Sequence, residues 1–147
     1  MKPLTAGILL FVAVLCASLA SAGEVDPRFD GKWSGVEKFA YPSGGITITM
    51  RSPETLVAIA EHGQLLGILS GWVPGRYQVS AESRGTTIIY RMAGKKQSSS
   101  QSREECKFVL SPDGSTLEES GHAIVAVGPT HELTRCQLSA TFHRQGK

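Results

Sequence analysis

The feature that most constrains the fold is a series of short segments in which apolar and polar residues alternate. Residues 46–50, 76–80 and 86–92 all follow this pattern. A period of two is typical of strands with one buried and one solvated face. Sequences suited to tight turns separate these segments; they are Ser43-Gly44-Gly45, Arg84-Gly85 and Pro112-Asp113-Gly114.

The C-terminal third continues the pattern. Residues 106–110 and 116–121 flank a turn and predict a hairpin, 123–127 predicts a further strand, and a last strand runs from 131 to about 144. We expect residues 93–102 to form a flexible surface loop, because they carry almost no core residue. In the last strand one face, predicted to point inward, carries Cys136, Leu138, Ala140, Phe142 and Arg144.

Residues 52–63 allow two interpretations. Ser52-Pro53 at the start and Gly63 beyond the end would suit a helix. Val57 and Ile59 favour a strand, and we therefore prefer a hairpin of residues 55–60 and 64–70.

Together these segments predict an all-β domain. The expected architecture is a single antiparallel up-and-down β-barrel, or a curved β-sandwich, of about eight or nine strands.

The N-terminus predicts export. Lys2 precedes ten consecutive apolar residues, 8–17, and Ala20-Ser21-Ala22 is a typical cleavage site. Residues 1–22 are therefore interpreted as a signal peptide cleaved near Ala22, which places the protein outside the cell or in the periplasm. Residues 23–147 would form one domain, without a transmembrane segment after cleavage.

Two of the three cysteines, Cys106 and Cys136, lie beyond the signal peptide. Both fall on apolar faces of predicted strands, and exported proteins mature under oxidising conditions. We expect a single buried Cys106–Cys136 disulfide between neighbouring strands.

Charge and motif content exclude several functions. After removal of Lys2, 14 basic residues face 13 acidic ones, which argues against a nucleic-acid partner. The four histidines show no metal-ligand spacing, so we expect no metal and no cofactor. No catalytic motif is present, and an enzyme is not expected.

Three groups of glutamates are candidates for carrying chemistry. Neighbours on a strand point to opposite faces, so neither Glu104-Glu105 nor Glu118-Glu119 forms an acid/base couple. Both pairs are expected to be solvated. Glu37 is separated from Trp33 and Phe39 by an even number of residues, so all three lie on the same, inward face of their strand. There Glu37 either binds a ligand or lies at the barrel rim.

The tripeptide Gly31-Lys32-Trp33, near the start of an all-strand chain, resembles the lipocalin and avidin (calycin-like) superfamily of small secreted β-barrels. The resemblance implies that Trp33 closes the barrel base and that Arg144 packs over it, in a geometry that suits a cation–π contact. Biotin binding in avidin-like proteins needs several tryptophans. Only Trp72 remains here, so biotin is not expected.

Aromatic residues in loops indicate a binding role. Trp72 lies in a Gly- and Pro-rich connection, and Tyr41 begins another. We expect an open end where Trp72, Tyr41, Glu37 and Tyr90 hold a small apolar or amphipathic ligand.

The alternative is an envelope protein–protein interaction or inhibitor module acting through its loops. It would have a barrel filled by large inward side chains, namely Phe39, Tyr90, Met92, Phe108 and Phe142.

Overall fold

The computed structural model describes residues 23–70, 76–93 and 101–146. The predicted signal peptide, most of the predicted 93–102 loop and Trp72 lie outside the described residues. Within residues 23–70, 76–93 and 101–146, side-chain burial is described at most positions but not at Met92.

Eight antiparallel strands follow one another in chain order and close into a barrel through pairing of the first with the last. They are β1 (Gly31–Ser43), β2 (Ile46–Glu61), β3 (Gln64–Ser70), β4 (Arg76–Val79), β5 (Thr87–Ala93), β6 (Gln101–Leu110), β7 (Thr116–Val127) and β8 (Glu132–Arg144). A 3₁₀ turn, Pro27–Phe29, directly precedes β1. The all-β antiparallel barrel is therefore confirmed.

Residues 52–63 are strand and turn, as the hairpin interpretation predicted. β2 runs unbroken through Pro53, which stands opposite Val36 of β1. The β2–β3 turn is tight because His62 and Gly63 both adopt positive φ, 51° and 74°. Two positive φ angles at the centre of a two-residue turn match the right-handed twist of the flanking strands.

β7 differs from expectation, because it is one strand where the sequence predicted two. Gly121 does not end it but lies within it, opposite Cys106, where the register of the β6–β7 ladder shifts. A Cβ at Gly121 would overlap the Cys106 side chain. Glycine within a strand often marks such a bulge or a close approach. β6 also begins earlier than expected, at Gln101.

The predicted Cys106–Cys136 disulfide is wrong. Both residues are buried thiols, and no disulfide joins them. Cys106 lies on β6 and Cys136 on β8, opposite Gly121 and Ala123 of the intervening strand β7. Two strand spacings of about 4.8 Å separate the backbones by more than the ~7 Å that a disulfide spans.

We therefore expect the purified protein to retain two thiols. Iodoacetamide should modify both cysteines in denaturant without reductant, whereas in the native protein burial raises the pKa of Cys136 and should make its alkylation slow. Intact-mass spectrometry checks this count. A denatured, unreduced monomer that accepts no label would contradict the structure.

The base of the barrel is closed by the residues that lead into β1. Phe29 and Trp33 are fully buried, and the Trp33 indole donates a 3.0 Å hydrogen bond to the Phe29 carbonyl. Arg144 pairs with Trp33 across β1 and β8, and its guanidinium carbon lies 4.2 Å from the Trp33 ring centroid. The same guanidinium donates to the carbonyls of Arg28, Asp30 and Gly114. It thus ties the segment before β1 to the β6–β7 turn.

Replacement of Arg144 should loosen this base. Arg144→Ala removes the cation–π contact and three charge-assisted hydrogen bonds, and we expect a loss of about 2 kcal/mol in the free energy of unfolding. Urea denaturation measures it. The neighbouring His143→Ala, at an exposed position of β8, serves as control and should change stability by less than about 0.5 kcal/mol.

Candidate functional site

Three carboxyl groups are buried inside the barrel. Glu37 is 0% exposed, Glu119 2% and Glu54 4%. They come from strands β1, β7 and β2 respectively. Burial of even one carboxylate is costly, so a cluster of three marks the most unusual chemistry of the described residues.

The strand register explains how two of these groups meet. Glu37 and Glu119 both pair with Ala140, which lies between them on β8. The small alanine side chain leaves space for the two longer ones, and the proximity of Glu37 contributes to raising the pKa of Glu119.

Glu54 approaches the pair from β2. It stands opposite Gly35, whose lack of a side chain lets the Phe142 ring lie close: a Cβ added at Gly35 would be 3.0 Å from Phe142 Cδ1. One Glu54 carboxylate oxygen accepts a 3.0 Å hydrogen bond from the backbone N–H of Thr55. The negative charge of Glu54 contributes to raising the pKa of Glu119.

The surroundings favour the protonated form of Glu119. Burial raises its pKa well above the ordinary value of 4.5, and the negative charge of Glu37, the hydrogen bond to Glu37 and the charge of Glu54 raise it further. Wherever burial is described, every lysine, arginine and histidine is exposed.

Aromatic rings occupy the interior beside the carboxyl groups. Phe108 is the cross-strand neighbour of Glu119. Tyr90 stacks on Phe108 with centroids 4.5 Å apart and planes at 8°, and Tyr77 lies 4.6 Å from Tyr90. Tyr90 is fully buried, yet its hydroxyl has no hydrogen-bond partner among the described residues.

The residues predicted to form the site lie at different depths. Glu37 and Tyr90 are both interior, on β1 and β5, which face each other in a ring of eight strands. Glu37 is not at the rim. Tyr41 is half-buried and packs against the core near the β1–β2 turn, about 13 Å from Glu37 along the strand. The role of Trp72 remains a prediction.

Sequence reasoning missed Glu54 and Glu119. The expectation that Glu119 is solvated is wrong, whereas its neighbour Glu118 is exposed and accepts a hydrogen bond from the Thr141 hydroxyl. The sequence feature that could have identified Glu119 as buried is its position two residues after Leu117, on the same face of β7. Glu54 likewise shares parity with the buried Leu56 and Ala58.

Among the residues whose side chains the structure describes, the remaining titratable groups form no comparable cluster. Glu104 and Glu105 lie toward the outside and pair with Arg135 and Arg91. The four histidines are all exposed, and the described part of the chain contains no group of three or more potential metal ligands. Within residues 23–70, 76–93 and 101–146, no helix has the length and apolar character needed to cross a bilayer.

Comparison with known proteins gives little further guidance. No protein-family model and no curated protein matches the chain. The chain is similar to the crystal structure of Rv2717c from M. tuberculosis at 17% identity, with 81% of this chain and 94% of that one covered and a TM-score of 0.39. A likeness at this level supports no conclusion about fold or function.

The buried carboxyl cluster predicts an unusual pH dependence of stability. A carboxyl group whose pKa is higher in the folded than in the unfolded chain stabilises the fold fully below the unfolded value, here about 4.5, and this contribution is lost as pH rises through the folded pKa. The protein should therefore be most stable in mild acid and weaken toward pH 8.

The variant Glu119→Gln tests whether the buried Glu119 carboxyl causes the loss of stability at higher pH. The amide keeps a hydrogen-bond donor toward Glu37 but carries no charge, so the variant should exceed the parent at pH 8 by about 1–3 kcal/mol and show a flatter profile in thermal unfolding. Glu118→Gln, on the outer face, should keep the parental profile. A parent that gains stability from pH 5 to pH 8 would refute the assignment.

Proposed function

We propose that this protein is an exported, non-catalytic binding protein that takes a small amphipathic molecule into its barrel. The observation that carries the proposal is an interior with buried polar groups within an apolar wall. Glu37 is fully buried in the barrel, and the Tyr90 hydroxyl, which has no hydrogen-bond partner among the described residues, belongs to a ring stacked on Phe108. Ligand sites of small barrels combine an apolar lining with a few converging polar groups in this way.

The entrance is assigned to the end that the N-terminal segment does not cover. Val25, Phe29, Trp33 and Arg144 close the base. The opposite end carries the β1–β2 and β7–β8 turns, with Tyr41 packed at the edge of the core. β3 also ends on that side, and Trp72 follows it in the sequence. An aromatic-lined mouth at this end is the arrangement expected from the sequence.

The calycin-like resemblance is part of this proposal. It is supported by the contact between Trp33 and Arg144, which has the form that the resemblance implied. The export signal in residues 1–22 is likewise part of the proposal and is supported by sequence alone.

The alternative function, an envelope interaction or inhibitor module, also has an observation in its favour. Tyr90, Phe108 and Phe142 are fully buried, and the Phe108 and Phe142 rings pack edge to face, 6.2 Å apart, so large rings occupy much of the interior. A filled barrel would act through its loops.

Binding of the neutral fluorophore N-phenyl-1-naphthylamine distinguishes the two functions. The proposal predicts saturable enhancement of its fluorescence, and about tenfold weaker binding, equivalent to about 1.4 kcal/mol, in Tyr41→Ala and Trp72→Ala. Val36→Ala, at an exposed position of β1, is the control and should bind as the parent does. A parent that does not bind the fluorophore, and whose native mass shows no co-purified molecule, would support the interaction module.

A further inference from the structure

We infer that the molecule taken into this barrel is a neutral, flat aromatic carbonyl compound whose oxygen accepts a hydrogen bond from the Tyr90 hydroxyl. The inference rests on the proposed function and assigns the chemical class of its ligand. Two observations on one side chain carry it. The Tyr90 hydroxyl is buried without a hydrogen-bond partner among the described residues, and the Tyr90 ring belongs to a group of packed aromatic rings.

The first argument concerns how the strand register places the Tyr90 ring. Its direct neighbours on the flanking strands are Val79 of β4 and Cys106 of β6. Both side chains are smaller than tyrosine and leave room for the ring to reach Phe108, the next inward residue of β6. The two rings stack with centroids 4.5 Å apart and planes at 8°.

The aromatic surface continues on both sides of this pair. Tyr77 of β4 lies against Tyr90 at 4.6 Å with planes at 53°, and Phe142 of β8 packs edge to face on Phe108 at 6.2 Å. Rings from four strands thus line the same part of the interior. Such a lining favours a flat aromatic body over a branched aliphatic one, because ring pairs gain energy beyond the burial of apolar area.

The second argument concerns the Tyr90 hydroxyl. Tyr90 is 0% exposed, and the described residues offer its hydroxyl no hydrogen-bond partner. A buried hydroxyl without a partner is unfavourable, and buried tyrosines usually find one. Unsatisfied buried groups are few in native proteins, and a functional role is one explanation for them. A bound molecule that brings a hydrogen-bonding group to this point gains an interaction that a pure hydrocarbon lacks.

The surroundings restrict what that group can be. A charged group would lose its hydration among the four aromatic rings, at a cost that one phenol does not offset. A neutral carbonyl has a smaller desolvation cost, and its oxygen accepts a hydrogen bond from a phenol O–H. A carbonyl conjugated to an aromatic ring lies in the plane of that ring. One flat molecule can therefore contact the aromatic lining and direct its oxygen to Tyr90.

Three neutral probes with the same carbon skeleton test the inference: acetophenone, 1-phenylethanol and ethylbenzene, titrated into the protein by isothermal calorimetry at pH 7. We expect acetophenone to bind about five- to tenfold more tightly than ethylbenzene, which is the gain from one hydrogen bond between neutral groups. Acetophenone should also bind more tightly than 1-phenylethanol, whose oxygen is not held in the plane of the ring.

Two variants locate the hydrogen bond. Tyr90→Phe removes the hydroxyl and keeps the ring, so it should lose the preference for acetophenone and bind ethylbenzene as the parent does. Without a probe it should unfold at the parental temperature or slightly above it, because the folded chain loses no hydrogen bond. Thr87→Val removes a hydroxyl from the outer face of the same strand. It is the matched control and should keep the parental preference.

The outcomes separate this inference from the proposed function. Acetophenone binding no tighter than ethylbenzene or 1-phenylethanol, or a preference that survives in Tyr90→Phe, overturns the inference. A clear loss of stability in Tyr90→Phe without a probe also overturns it, because the hydroxyl would then have a partner within the folded chain. The proposed small-molecule function still stands if ethylbenzene or N-phenyl-1-naphthylamine binds. If no probe binds and no molecule co-purifies, both fail.

Discussion

The pairing of β1 with β8 determines most of what is distinctive in this structure. It turns an eight-stranded meander into a closed barrel without free edges. The same register places Trp33 opposite Arg144 and Glu37 opposite Ala140. A shift of one residue would send both inward side chains to the solvent face. The sealed base and the carboxyl pair therefore depend on one ladder of hydrogen bonds.

Much of the fold could be predicted because alternation is a local signal. The face shared by Cys136, Leu138 and Phe142 is the buried one, and the β2–β3 hairpin follows from Val57, Ile59 and a turn ending in Gly63. The continuity of β7 could not be predicted, since glycine is typical of turns, whereas Gly121 lies within the strand beside a β-bulge. The disulfide prediction was wrong for a related reason. The alternation of side chains shows that two residues point inward, but it does not show how many strands lie between them.

The site was predictable only in part. Glu37 was identified as inward by parity with Trp33. Glu119 was predicted to be solvated together with Glu118, because paired charged residues usually form a solvated face. Glu54 could not be assigned to a face because it lies in residues 52–63, where the sequence allowed either a helix or a strand. The partner relations of all three depend on cross-strand register, which becomes visible only when the barrel is closed.

The closing ladder also has a consequence for how the chain folds. β1 and β8 are joined by pairs of residues about a hundred positions apart, such as Trp33 with Arg144. Every other ladder joins strands adjacent in sequence, so it can form early at a small cost in chain entropy. Closure therefore requires the last strand, β8, to be available for pairing with β1. Until then the chain is an open sheet with two unprotected edges, the stage at which it is most prone to pair with another copy of itself.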